Sequence, residues 1–176
     1  LYLLAHMIYN DGLNTLFAFG GIYAAGTFGF KVQEIILFGL GMNIAAGVGA
    51  FSFGWLDDYI GSKRTILISL AGLFIFGTCI FLTHSVLLFW ILGMALSLFV
   101  GPVQSASRAY LVHLANPETL TELFGMYSFS GKISAFIGPW LLGHVTLYFN
   151  SQRLGMSTIL IFFLCGGLLL LPLPKK

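Results

Sequence analysis

The sequence predicts an all-α, polytopic membrane protein with six transmembrane helices. Of its 176 residues 58% are hydrophobic and 8% charged, with a mean hydropathy of +0.95. A soluble domain carries about 25% charged residues. Six acids and eight bases cannot coat a globule of this size in water, so lipid must cover most of the surface. Apolar runs of about 20 residues, long enough to cross a hydrocarbon core about 30 Å thick, recur between short polar breaks. None shows the period-2 alternation of a membrane β-barrel, and helices satisfy their own backbone groups in lipid.

The spans fall in order at about 1–23, 35–56, 65–82, 86–111, 122–149 and 156–171. Polar or turn-rich segments separate them: Gly29-Phe30-Lys31, Thr83-His84-Ser85, Asn116-Pro117-Glu118 and Asn150-Ser151-Gln152-Arg153. Asn116-Pro117-Glu118 reads as a helix stop followed by a new start. Between the second and third spans lies the most charged stretch, Gly54-Trp55-Leu56-Asp57-Asp58-Tyr59-Ile60-Gly61-Ser62-Lys63-Arg64, expected as a polar loop. Leu1 opens the chain within apolar sequence, without a charged leader, and reads as a fragment start rather than a signal peptide.

Short-loop cations set the expected orientation. Lys63, Arg64, Lys175 and Lys176, with Arg108 close by, mark one side as cytoplasmic; Lys31 and Arg153 mark the other. Both termini then lie in the cytoplasm, of a cell (inner) membrane or a vacuolar membrane. The net charge of +2 gives no argument for nucleic acid. Cys79 and Cys165 fit no metal or disulfide spacing and read as small buried hydrophobes. There is no HExxH, GxSxG or P-loop, so the expectation is a non-enzyme with no metal and no cofactor.

A shift of 89 residues superposes Gly12 on Gly101, Gly49 on Gly138, Gly54 on Gly143, Gly77 on Gly166 and Arg64 on Arg153. Two three-helix repeats, about 1–82 and 86–176, would then be inverted in the membrane. Glycine is abundant, 22 residues. On spans two and five it serves close helix packing, or a sliding contact with a partner domain. Gly101-Pro102 and Gly138-Pro139 fall inside spans, where proline kinks a helix; the kinks serve bundle shape or gating.

Two charges lie deep, about 15 Å from the cytoplasmic end at 1.5 Å per residue: Asp11 and Lys132. Facing lipid would cost each several kcal/mol, so they belong to an interior or cavity, as an ion pair or as a substrate or coupling-ion site. Asn10, Asn14, Thr15, Ser128, Ser130 and Ser134 are their neighbours, and Gln104 precedes Arg108 on span four. Near the cytoplasmic face Asp57, Asp58, Arg108 and Glu122 gather; Asp58 and Arg108 suit a gate, while Asp57 and Glu118 suit loop solvation. His6 and His144 within spans are proton relays or packing; His84 and His113 are interfacial.

The spacing of Gly54, Asp58, Gly61 and Lys63 resembles the helix 2–3 loop signature of the major facilitator superfamily. Asp57 and Tyr59 depart from it, standing where a small residue and a base are usual. Three further segments resemble the C-terminal half of the unidentified-major-facilitator family, which includes the autophagy-related vacuolar amino-acid effluxers. They are Tyr9-Asn10-Asp11-Gly12-x-x-Thr15, the run from Gly101-Pro102 through Gln104 to Arg108, and Phe124-Gly125-x-Tyr127-Ser128-x-Ser130-Gly131-Lys132 continuing to Gly138-Pro139. The resemblance covers nearly the whole chain. It implies twelve helices in two halves, with an N-terminal six-helix half as partner. Spans one and four would line a central cavity holding Asn10, Asp11, Asn14, Thr15, Gln104 and Lys132. Spans two and five would meet the other half. Gly54, Asp58, Gly61, Lys63, Arg64, Arg108 and Glu122 would form the cytoplasmic gate. The implied activity is alternating-access export of a small solute, such as an amino acid, with membrane lipid around it and no nucleic acid; Asp11 and the histidines add the expectation of proton coupling. The alternative is a non-transporting membrane module, or a half-sized chain that homodimerises.

Overall fold

The computed structural model describes residues 1–174. Seven α-helices and one 3₁₀ turn follow in order: α1 (Tyr2–Phe28), α2 (Val32–Ile60), α3 (Ser62–Leu82), α4 (Val86–Leu114), the turn Pro117–Thr119, α5 (Leu120–Ile133), α6 (Ile137–Phe149) and α7 (Gln152–Leu170). The described residues contain no strand. By length and composition α2, α3, α4 and α7 can each cross a membrane. Helix α1 has 27 residues but carries Asn10, Asp11, Asn14 and Thr15 in its middle. Helices α5 and α6 run in succession where the sequence predicts one fifth span.

Three expectations change. The stretch 54–64 is not a loop: α2 continues to Ile60, α3 starts at Ser62, and Gly61 alone separates them. Its φ of 86° is the reason for glycine, since side chains with a Cβ rarely adopt it. Asp57 is not merely solvated. It is half-buried, its carbonyl accepts from the Gly61 amide at 2.9 Å, and its Oδ2 accepts from the Ser62 hydroxyl at 3.1 Å. Cys79 and Cys165 are free and exposed, on the outer faces of α3 and α7, so they fill no core.

The helices alternate in direction, and contacts between their ends show it. The Lys63 ammonium, at the start of α3, donates to the carbonyls of Leu171 and Leu173 just past the end of α7. At the opposite end Arg153, starting α7, meets His84, just beyond α3. Tyr2 at the start of α1 donates to the Ser107 carbonyl near the end of α4 at 2.5 Å, and Tyr110 donates to Pro174. Helix α2 packs along α4, α1 along α7, and α3 along both α4 and α7. Lys175 and Lys176, used for orientation, lie outside the described residues.

Glycine sets the tightest crossing. A Cβ on Gly49 would stand 2.0 Å from the Leu98 carbonyl, and one on Gly101 would stand 2.0 Å from the Ala46 carbonyl. Pro102 has no N–H to offer Leu98, so that carbonyl is free to lie against α2. Helix α4 nevertheless runs unbroken through Gly101-Pro102. An aromatic cluster of Tyr23, Phe28, Phe30, Phe38, Phe81 and Phe89 fills the end away from Gly61.

Candidate functional site

The fifth predicted span breaks at 134–136. Pro139 cannot donate to Ala135, and its ring crowds that carbonyl, which favours a break here, although α4 runs on through Pro102. The residues around the break pair at shorter range: the Ala135 amide to Lys132 at 3.3 Å and the Ile137 amide to Ser134 at 2.9 Å. Two groups that an intact helix would use are thereby orphaned, the Gly131 carbonyl at the end of α5 and the Gly138 amide at the start of α6.

Consecutive residues of α1 satisfy both. Asn10 Nδ2 donates to the Gly131 carbonyl at 3.3 Å, and Asp11 Oδ2 accepts from the Gly138 amide at 2.8 Å. Ser134, within the break, donates to the Met7 carbonyl at 3.3 Å. The two deep charges thus stand where helix dipoles favour them. Asp11 sits at the N-terminus of α6, and Lys132 lies in the last turn of α5. Gly138 has no space for a side chain, since its Cβ would lie 2.0 Å from Thr15 Oγ1.

Asp11 and Lys132 do not pair. Asp11 Oδ1 is buried without a hydrogen-bond partner, Oδ2 is taken by Gly138, and Lys132 is exposed. Asp11 is 1% exposed and Thr15 fully buried, with its hydroxyl on the Asp11 carbonyl at 2.8 Å. Neither faces an open cavity in this conformation. They belong to the α1–α6 junction, because a break that leaves backbone groups unpaired draws polar side chains inward. Of the expected cavity set, Asn14, Gln104 and Lys132 are exposed and Asn10 half-buried.

A polar seam, missed as a unit in the sequence, extends the junction toward the start of α1. Tyr9 shares a 2.7 Å hydrogen bond with the Ser107 hydroxyl. His6 Nδ1 lies 3.3 Å from Ser130 Oγ, and its ring stacks on Tyr127 at 3.9 Å. His6 thus joins α1 to α5. The available signal was the Tyr2, His6, Tyr9 spacing, a polar stripe at i, i+4, i+7 in an apolar chain. His144 is exposed and bonds only the Trp140 carbonyl of its own helix among the described residues.

The side chains of the expected gate residues are not hydrogen-bonded to one another in this conformation, among the described residues. Asp58, Arg64, Arg108 and Glu122 are all exposed. Lys63 is 5% exposed and is used on the carbonyls after α7 instead. A lysine at the second residue of α3 reaches them because α7 ends beside the start of α3. Gly54 has open space around it, as do Gly39, Gly47, Gly125 and Gly143. A cavity of about 190 Å³ lies among α1, α2, α3, α4 and α7, lined almost wholly by apolar side chains, with neither Asp11 nor Lys132 in its wall.

The family profile described as "Vacuole effluxer Atg22 like" matches residues 1–176. The chain is 23% identical over its full length to an uncharacterized MFS-type transporter, YxiO, of Bacillus subtilis, and spans 41% of that protein. It is 24% identical, over 99% of its length, to autophagy-related protein 22 of Cryptococcus neoformans and to that of Coccidioides immitis, spanning 32% of each. The chain therefore spans well under half the length of the curated relatives it matches.

Proposed function

The chain belongs to the vacuole effluxer Atg22-like family, and on that premise we propose that it is the C-terminal six-helix half of a secondary transporter of the major facilitator type. Its substrate class is small solutes such as amino acids, moved by alternating access against an N-terminal half. The carrying observation is a set of polar groups that nothing among the described residues covers. Asn14 on α1, Gln104 and Arg108 on α4, and Lys132 on α5 are exposed within helices of an otherwise apolar protein. In lipid they would be costly; facing an aqueous path between two halves they are not.

Two further observations support the finer parts of this reading. Gly61 ends α2 and Asn150 ends α6, 89 positions apart, both with positive φ (86° and 48°). Gly49 packs α2 on α4 and Gly138 packs α6 on α1, again 89 apart. Both relations are expected of an inverted repeat, which exchanges α1 with α4 and α2 with the α5–α6 pair. The bare outer face of α2, with Trp55 75% and Tyr59 93% exposed beside the open glycines, suits contact with the other half.

Asp11 suits a coupling proton. It is buried, one carboxylate oxygen has no hydrogen-bond partner among the described residues, and the other accepts only a backbone amide. Loss of its charge would weaken the hold on α6, linking proton occupancy to the broken helix.

The test is reconstitution of the full-length protein in vesicles with candidate amino acids, with and without a pH gradient. Counterflow of an amino acid is the expected result. Absence of any flux would favour the non-transporting module. Flux that ignores the pH gradient would remove the proton.

A further inference from the structure

The geometry points to a phospholipid site in the crease between α3 and α7, at the end of the bundle opposite Gly61, independent of the transport reading. A groove of about 410 Å³ opens there. Its rim is basic: Arg153 Nη1 lies 3.0 Å from His84 Nε2 and 3.2 Å from Nδ1. Leu82, Leu154 and Leu160 form part of its apolar wall, the Thr78 and Ser157 hydroxyls are spent on carbonyls of their own helices, and no acid lines it. The crease therefore runs from a cation to hydrocarbon, as a glycerophospholipid runs from phosphate to acyl chain.

The crease continues. A second groove of about 320 Å³ runs between the same helices toward the Lys63 end, lined by residues such as Leu67, Phe74 and Leu168 and wholly hydrocarbon apart from backbone. Helices α3 and α7 are antiparallel, so the two grooves lie on one line, long enough in sequence (Leu67 to His84, with α7 alongside) for an extended acyl chain.

The occupant must satisfy both ends. A free inorganic anion would use the arginine and leave the apolar walls uncovered. A neutral lipid would use the walls and leave the guanidinium, which pairs best with phosphate or carboxylate oxygens, without an anion. A phospholipid uses both: the α3–α4 connection and the first turn of α7 lie at the ends of membrane-length helices, so in a bilayer Arg153 would stand at the level of the headgroup phosphates.

Thermal unfolding of the purified full-length protein in detergent tests this, with phosphatidylglycerol, dioleoylglycerol or inorganic phosphate added. Phosphatidylglycerol is expected to raise the midpoint by about 2–4 °C, through binding to the folded state only, and the other two to leave it unmoved. The paired change His84→Gln with Arg153→Gln should abolish the shift. So should Ser157→Phe, which fills the groove and keeps the basic pair. An equal shift from dioleoylglycerol or from phosphate, no shift from phosphatidylglycerol, or a shift surviving in either variant overturns the site.

Discussion

The Asp11 carboxylate of α1 accepts the Gly138 amide of α6 at 2.8 Å, across 127 positions of chain. It does from a distance what an N-cap residue does locally. Asn10 beside it does the same for the end of α5. The break in the fifth span is therefore held open by one dipeptide of another helix.

Removing that hold should cost about 1 kcal/mol, the value of a lost N-cap. Asp11→Ala is expected to lower the unfolding midpoint and to speed amide exchange of residues 137–140. Asp11→Asn, which keeps an acceptor for Gly138, should preserve most of the stability while abolishing any pH dependence of transport. Unchanged pH dependence in Asp11→Asn would take the proton away from this residue.

Gly138→Ala should be destabilising because its Cβ would meet Thr15 Oγ1 at 2.0 Å. Thr15→Ala removes that oxygen. The double variant is expected to recover part of the loss, a coupling of about 1 kcal/mol in a double-mutant cycle. Strict additivity would show that the contact is not what requires glycine.

Lys63→Met should leave the carbonyls of Leu171 and Leu173 without their donor and cost about 1–3 kcal/mol. Proteolysis or exchange of the segment after α7 is the sensitive readout. A transport defect with no change in that segment would return Lys63 to the gate.

Gly61→Ala should cost about 1 kcal/mol, because φ of 86° is strained for any residue with a Cβ. A Cβ at Gly54 would meet no other side chain or neighbouring helix within 4 Å among the described residues. If α2 slides against another half, Gly54→Ala should spare stability and reduce flux in the full-length protein.

In a background with Cys79 and Cys165 replaced, Asn14→Cys and Gln104→Cys should react with a membrane-impermeant thiol reagent, and substrate should slow the reaction. Inert thiols at both positions would place that face in lipid or packing rather than beside a water path.

Composition and apolar runs were enough for an all-helical chain and most of the helix order, because backbone exposed to lipid must pair within its own segment. The Asn116-Pro117-Glu118 stop was also legible, since it acts on its own backbone, whereas the sharp turn at Gly61 and the break before Pro139 were read as a loop and as a kink. Counting residues to Asp11 and Lys132 found the right helices but suggested the wrong partner. Depth along a helix says nothing of which way a side chain points, and a continuous fifth span left no orphaned amide for Asp11 to find. The loop signature likewise marked Lys63 without showing that α7 ends beside it. The sequence by itself determined an all-helical chain buried in lipid with two charges deep inside. Tertiary structure alone decided what Asp11 touches and that Lys132 stays exposed, because the amide that Asp11 accepts is unpaired only after another helix has broken.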